Sequence, residues 1–270
     1  MKKRGWVFVV VLATSIGTQA TSAFAGSVPL TTKAAARSHG STGTLFEREF
    51  NSPDALAVKG SDLFVANESG NTLTEVDAST GKLVRVISGT SDKFDGPDAL
   101  ALKGSDLFVA NESGNTLTEV DASTGKPVRV ISGTSYKFDG PDALVLTGSD
   151  LFVANAASWT LTEVDASTGK FVRVISGASY ELDGPDALEV SGDDLFVANE
   201  DDGVGSPDNA ITEVATSTGR LVRVITGSFY EFFGAAALAP YGRDLFVANF
   251  TGNTLTEVDA STGTLVRVIG

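Results

Sequence analysis

A block of about 44 residues is repeated along most of this 270-residue chain. The tetrapeptide Pro-Asp-Ala-Leu begins at Pro53 and returns at Pro97, Pro141 and Pro185. The fifth copy begins at Ala235, and the fourth copy carries six extra residues. A repeat of this length is typical of an array in which each unit buries its apolar face against the next unit. Copy number, and not domain count, therefore sets the length of the chain.

Each copy contains four short β-type runs separated by turn residues. In the first copy they span residues 55–58, 63–66, 72–76 and 83–87, and we label them a, b, c and d. Four strands per repeat predict the blade of a β-propeller. An open β-solenoid is the alternative, although its repeats are usually shorter. Run b is apolar on both faces, as an interior strand would be, and Pro127 in the second run d predicts an edge strand.

The repeat also resembles known propeller families. Phe64-Val65-Ala66-Asn67, followed by an Asn-Thr-Leu-Thr-Glu-Val-Asp strand and a Ser-Thr-Gly-Lys turn, resembles the YVTN-type repeat. The Pro-Asp-Ala-Leu-Ala-Val start is similar to that of NHL-type repeats. The resemblance covers residues 44–270 and implies an all-β propeller of four-stranded blades. It implies little about activity, because such folds carry many unrelated functions.

The number of blades stays open at this stage. Five full copies begin near residues 53, 97, 141, 185 and 235. Residues 44–50 look like an additional strand d placed before the first full copy. Either five blades close into a ring with a spare strand, or the chain forms an incomplete six- or seven-bladed ring.

The first 25 residues predict a secretory signal peptide. Residues 2–4 are basic, residues 6–16 are mostly apolar, and Ala23-Phe24-Ala25 fits a small-residue cleavage pattern. The apolar run is shorter than the roughly 20 residues that span a bilayer. Residues 26–43 are expected to be a linker before the propeller domain at 44–270. We expect an exported protein, either extracellular or periplasmic.

Composition excludes several chemistries. The chain has no Cys, so disulfides, thiol nucleophiles and iron–sulfur clusters are absent. Its one His is His39, outside the repeats, so a multi-histidine metal site cannot form. The net charge of −14 argues against a nucleic-acid partner. We expect a monomer that binds an unidentified protein, glycan or small molecule and needs no cofactor, with Ca²⁺ left open.

Residues repeated in every copy are expected to serve the architecture. Glu75 and Arg85, on strands c and d, predict a cross-strand pair that recurs in each blade. The Asp77-x-Ser79-x-Gly81 turn predicts a hairpin capped by its own side chains.

Two further sets of repeated polar residues are expected at one face of the propeller. The second residue of strand a predicts a partial ring of carboxylates at the channel mouth, broken by Ala236 in the fifth copy. These groups either cap local turns or bind a cation such as Ca²⁺. The ring would comprise Asp54, Asp98, Asp142 and Asp186. The Asn residues that end strand b are expected at the same face, among them Asn155, Asn199 and Asn249.

Residues that break the repeat are better candidates for a specific binding site. Copy three carries Trp159, copy four an acidic insertion with Asp201 and Asp202, and copy five Phe250. The connection after copy four adds Phe229 and Tyr230. Aromatic side chains rimmed by acids predict a binding surface on the face of the b–c and d–a loops. Sequence drift among the copied loops, together with packing of Phe side chains between blades, is the alternative explanation.

The enzyme question is open and leans towards a non-catalytic scaffold. The streptogramin lyases, a similar propeller family, use a catalytic His, and no repeat here contains one. The gluconolactonase-like propellers hold Ca²⁺ with Glu, Asn and Asp. Such residues are present here but copied symmetrically, without a one-off ligand set. A Ca²⁺-dependent lactonase- or lyase-like propeller is the alternative function.

Overall fold

The computed structural model describes residues 50–200 and 209–270. This part of the chain forms twenty strands and one short 3-10 segment, Ala178–Tyr180, and contains no α-helix. The strands fall into five blades, numbered in chain order. Blade 1 has β1 Pro53–Lys59, β2 Asp62–Asn67, β3 Thr72–Asp77 and β4 Leu83–Ile87; blade 2 has β5 Pro97–Lys103, β6 Asp106–Asn111, β7 Thr116–Asp121 and β8 Lys126–Ile131; blade 3 has β9 Pro141–Thr147, β10 Asp150–Asn155, β11 Thr160–Asp165 and β12 Lys170–Ile175; blade 4 has β13 Pro185–Ser191, β14 Asp194–Asn199, β15 Ile211–Ala215 and β16 Leu221–Ile225; blade 5 has β17 Ala235–Tyr241, β18 Asp244–Asn249, β19 Thr254–Asp259 and β20 Thr264–Ile269.

Each blade is a four-stranded antiparallel sheet with its strands in chain order. The first strands lie side by side from blade to blade, in the series β1, β5, β9, β13 and β17. Strand a is therefore innermost and strand d is the outer edge. This arrangement confirms the all-β propeller with four strands per repeat, and it explains why Pro127 is tolerated in β8.

The Asp-x-Ser-x-Gly turns form the predicted hairpins. The Asp77 Oδ1 atom accepts hydrogen bonds from the Thr80 amide at 2.8 Å and the Ser79 hydroxyl at 2.6 Å. Gly81 has a φ of 68°, a left-handed conformation that favours glycine. The side chain of Asp77 is thus used within its own turn, and the turn fixes the pairing of strands c and d.

The core lies between neighbouring blades. We call the side of a blade that faces the following blade its forward face, and the opposite side its rear face. The forward face of blade 1 packs Phe64, Ala66 and Leu73 against Leu107 and Val109 on the rear face of blade 2. The same apolar contact recurs between the following pairs of blades. Burial of these alternating apolar residues holds the array together.

Several sequence predictions lie outside the described residues. They are the signal peptide, the linker and all of the additional strand d except Phe50, together with Asp201 and Asp202. Within the described residues, no helix is long and apolar enough to cross a membrane.

Candidate functional site

The b–c loops and d–a connections meet at one face of the propeller. The Gly96 amide, in the connection before blade 2, donates to the Asn71 Oδ1 atom of the blade 1 loop at 2.8 Å. The Gly96 carbonyl accepts from the Glu112 amide of the blade 2 loop at 2.7 Å. Each connection therefore ties two neighbouring b–c loops together. The Asn residue is a structural part of this face, and blade 2 repeats the bond, with the Gly140 amide donating to the Asn115 Oδ1 atom.

Trp159 breaks this pattern in blade 3. It occupies the position of Asn71 and Asn115 and keeps their left-handed backbone, with a φ of 56°. A bulky residue rarely adopts this conformation. The indole N–H only donates, so Trp159 cannot accept a hydrogen bond from Gly184 as Asn does from Gly96 and Gly140. The exposed fraction of the Trp159 side chain is 56%. Blade 3 thus lacks a structural acceptor and presents an aromatic ring to solvent.

A cavity of about 430 Å³ lies beside this ring. One wall comes from the blade 3 b–c loop and the other from the connection that follows blade 3. The lining residues are Ser158, Trp159, Thr160, Ser176, Gly177, Ala178, Glu181, Leu182 and Asp183. Sequence reasoning found Trp159 and missed Glu181 and Asp183. The missed signal is a reversal of charge, because Glu181 stands where the preceding connections carry Lys93 and Lys137.

The other predicted aromatic residues are not part of this cavity. Phe229 and Phe250 are exposed. Tyr230 is buried, its ring stacks on Phe232, and its hydroxyl donates to the Gly263 carbonyl at 2.7 Å. Tyr230 therefore has a packing role between blades, and a role for it in ligand binding stays a prediction.

The side-chain amide groups of the Asn residues that end strand b donate within their own blades, although the Asn249 Oδ1 atom is buried without a hydrogen-bond partner. Asn155 is completely buried, and its amide group donates to the hydroxyls of Thr160 and Thr162. The equivalent residues Asn199 and Asn249 are also buried and bond the Thr residues of their own strand c. These bonds join strand b to strand c. Ligand binding by the three Asn residues stays a prediction.

The carboxyl groups at the start of strand a come together at the centre of the propeller. The Asp98 side chain interacts with those of Asp54 and Asp142, and Asp186 interacts with Asp142. One oxygen of Asp186, Oδ2, is buried without a hydrogen-bond partner. The second residue of strand a thus places four acidic side chains side by side, as the repeat predicted, with Ala236 at the fifth position.

Burial perturbs two members of this Asp group strongly. The pKa of Asp98 is raised far above its usual range, first by burial and then by hydrogen bonding and charge repulsion with Asp142 and Asp54. The same causes, burial first, raise the pKa of Asp186 to about 9. In the described residues, no group of three or more Asp, Glu or His side chains has an arrangement that would hold a metal. Calcium binding by the Asp group stays a prediction.

The repeated Glu–Arg pair extends beyond its own blade. Glu75 lies opposite Arg85 and forms the predicted ion pair, at 2.5 Å. The other end of the Arg85 guanidinium donates to the Ala122 carbonyl of blade 2 at 2.8 Å. The pair is thus a bond between blades as well as between strands, which the sequence did not predict.

Comparisons with known proteins support the architecture. The family described as outer membrane protein assembly factor BamB has a model that matches residues 48–174. The chain is a β-propeller repeat protein. The YVTN- and NHL-type resemblance is not among these matches and stays a prediction. No curated protein matches the chain.

Solved structures share the fold at low sequence identity. The computationally designed Ika8 protein is 20% identical, with a TM-score of 0.62 over 79% of this chain, which spans 60% of the designed protein's length. Hydrazine synthase of Kuenenia stuttgartiensis is 18% identical, with a TM-score of 0.59 over 86% of this chain and 90% of that one. A chain of a nidogen/laminin complex is 14% identical, with a TM-score of 0.60 over 77% of this chain and 75% of that one. These likenesses concern the fold alone.

Proposed function

We propose that the chain is an exported, non-catalytic propeller scaffold that binds a cationic ligand in the cavity beside Trp159. Export rests on the predicted signal peptide. The non-catalytic role rests on the polar residues of the repeat other than the central Asp group, most of which are committed to turns, strand pairs and blade contacts. The binding role rests on blade 3, where Trp159 replaces the repeated Asn beside a cavity.

The observation that carries the proposal is Trp159 itself. Its position requires a left-handed backbone and, in other blades, an amide acceptor. Trp adopts this backbone only at a steric cost and offers no acceptor, so it is a poor choice for folding. Residues that violate local structural preferences cluster at functional sites, where the violation serves another purpose. For an exposed aromatic ring at the edge of a cavity, that purpose is ligand binding.

The lining favours a positively charged ligand. Among the described residues that line the cavity are Trp159, Glu181 and Asp183, and none of them is Lys or Arg. A cation is attracted to the face of an indole ring and to carboxylates. The replacement of Lys by Glu181 makes this connection more acidic than those after blades 1 and 2. A quaternary ammonium group or an Arg or Lys side chain of a partner fits this chemistry better than a neutral glycan.

Fluorescence of Trp159 offers a direct test. The only other Trp of the chain is Trp6, inside the predicted signal peptide, so the protein without residues 1–25 reports on this ring alone. We expect tetramethylammonium and an Arg-rich peptide to change the emission saturably, and a neutral oligosaccharide to have no effect. By calorimetry, Trp159→Asn should weaken binding at least about tenfold.

Phe250→Asn is the matched control, because Phe250 is an exposed aromatic of a b–c loop outside the cavity lining. It should bind the cationic probes like the wild type. Failure of every cationic probe, or equal binding by Trp159→Asn, would overturn the proposal. Turnover of a lactone that requires Ca²⁺ would instead favour the lactonase-like alternative.

The same substitution should also make the protein more stable. Trp159→Asn restores an acceptor for the Gly184 amide and places a residue that tolerates the left-handed backbone. We expect the free energy of unfolding to rise by about 1 kcal/mol, since one hydrogen bond is gained and one strained backbone conformation is relieved. Urea denaturation measures this change. A loss of stability would mean that the indole ring packs against the protein and does not serve a ligand.

A further inference from the structure

The first and last blades expose surfaces that the other blades bury. The innermost strands β1, β5, β9, β13 and β17 are neighbours in that order, and β17 does not pack against β1 in the way that each of these strands packs against the next. Within residues 50–200 and 209–270, blade 5 therefore has no following blade on its forward face, and blade 1 has no preceding blade on its rear face. The chain makes four contacts between successive blades, each between a forward face and a rear face. The two exposed surfaces are one face of each kind.

The forward face of blade 5 is apolar and open. Leu255 and Ile269 each expose 43% of their surface. Their counterparts on the other four forward faces expose at most 4%. Those counterparts are Leu73, Leu117, Leu161 and Ile211 for Leu255, and Ile87, Ile131, Ile175 and Ile225 for Ile269. Burial of such side chains is the main source of stability between blades.

The rear face of blade 1 is the complementary half. Ala78 is exposed, whereas its counterparts Ala122 and Ala166 are 1% exposed. A methyl group added to Gly125 would touch the Arg85 side chain of the preceding blade, at 3.0 Å from Nε, but at Gly81 it would meet open space. The turn that receives an Arg side chain in blades 2 to 5 is therefore unfilled in blade 1.

The Arg side chains of strand d also distinguish blade 5 from the other blades. Arg129, Arg173 and Arg223 donate to carbonyls in the c–d turn of the following blade, as Arg85 does. Arg267 pairs with Glu257, reaches no following blade within the described residues, and is 61% exposed, against about 30% for the others. One unfilled receiving turn and one Arg without a following turn remain, at opposite ends of the array.

We propose that the forward face of blade 5 binds the rear face of blade 1 of a second copy of this chain. The contact would repeat the internal one, with Leu255 and Ile269 buried and Arg267 donating to the c–d turn that contains Ala78. Because the two surfaces differ, the association is head to tail, and it continues until the copies close into a ring or extend as a chain. This proposal replaces the monomer expected from the sequence.

Sedimentation velocity on a dilution series of the purified protein tests the proposal. We expect the wild type to form dimers and larger species. Leu255→Asp and Ala78→Arg each disable one surface, and each should weaken association at least about tenfold. Val128→Asp is the matched control, because Val128 lies on an outer strand and is exposed within the array. It should associate like the wild type.

A mixture of the two variants gives the decisive result. Leu255→Asp keeps an intact rear face on blade 1, and Ala78→Arg keeps an intact forward face on blade 5. Together they should form a one-to-one dimer and nothing larger. A monomeric wild type would overturn the proposal and indicate that the chain covers its own surfaces, by ring closure or with residues that precede Phe50. A mixture that stays monomeric, or single variants that associate undiminished, would overturn it equally.

Discussion

Arg129→Ala is expected to lower the free energy of unfolding by about 3 kcal/mol. The Arg129 guanidinium pairs with Glu119 and also donates to the carbonyls of Ala166 and Ser167 in blade 3, at 3.1 and 2.9 Å. Glu119 is buried, and burial raises its pKa even in the presence of Arg129. The substitution leaves that carboxylate without its partner and removes hydrogen bonds between two blades. Both losses act on the folded state.

Arg267→Ala provides the matched control for this prediction. Arg267 forms the same ion pair with Glu257 but has no following blade and is mostly exposed. We expect it to lose less than half as much stability, because water reaches the open face of blade 5. Urea denaturation at low protein concentration, where copies do not associate, measures both changes. Equal losses would show that the ion pair alone, and not the bond between blades, carries the energy.

The Glu–Arg pair within a blade was predictable from the sequence, but the bond from its Arg to the next blade was not. A constant offset of ten residues between Glu and Arg in antiparallel strands predicted the pair, because hairpin register is a local property. The bond from Arg85 to Ala122 spans 37 residues and depends on how one blade twists over the next. Nothing local in the sequence specifies that geometry, so the sequence predicted a pair within each blade and not a bond between blades.

The order of strands within a blade was predictable because it follows from local sequence patterns. The arrangement of the first and last blades was not. Four strands per repeat, the apolar run b and Pro127 together fixed the order of strands within a blade. Closure of the ring depends on the small rotation between successive blades, which is absent from the repeat itself. The exposure of Leu255, whose counterparts are identical or nearly identical in sequence, therefore required the structure.

The candidate site was also predictable only in part. Trp159 was predictable because it departs from Asn71 and Asn115 at one aligned position. Glu181 departs just as clearly from Lys93 and Lys137, but it lies in a connection and not in a b–c loop. Only the structure shows that these two segments form the walls of one cavity. Departures from the repeat are thus visible in the sequence, and their proximity is not.

Asp98→Asn is expected to stabilise the protein, and increasingly so as the pH rises. The folded-state pKa values of Asp98 and Asp186 lie above the ordinary Asp value of 3.8, because burial and neighbouring carboxyl groups disfavour the charged form. Above about pH 4 the unfolded chain releases protons that the folded chain keeps. The stability contributed by these groups is fully present below that pH. It declines as the pH rises towards the raised pKa, which is about 9 for Asp186.

Asn reproduces the neutral carboxylic acid at every pH. It keeps a hydrogen-bond donor towards Asp54 and Asp142 and removes one ionisable side chain from the group. Each proton retained by the folded state costs about 1.4 kcal/mol per pH unit. At about pH 8 we therefore expect the melting temperature of Asp98→Asn to exceed that of the wild type by at least about 4 °C, and the difference should shrink towards about pH 4.

Asp121→Asn is the comparison of opposite sign in the same blade. The pKa of Asp121 is lowered, chiefly by the hydrogen bond from the Thr124 amide. Its charged form is therefore favoured by folding, and its loss should lower the melting temperature near neutral pH.

Melting curves from about pH 4 to about pH 9, with and without calcium, test both the proton and the cation hypotheses for the Asp group. If protons alone neutralise the carboxyl groups, calcium changes nothing and Asp98→Asn removes much of the slope with pH. If Ca²⁺ also binds there, it competes with the protons. Calcium should then raise the wild-type melting temperature most at high pH and leave Asp98→Asn less affected. A wild type whose stability does not fall with rising pH, together with an unchanged Asp98→Asn, would show that these carboxyl groups are hydrated and carry neither proton nor cation.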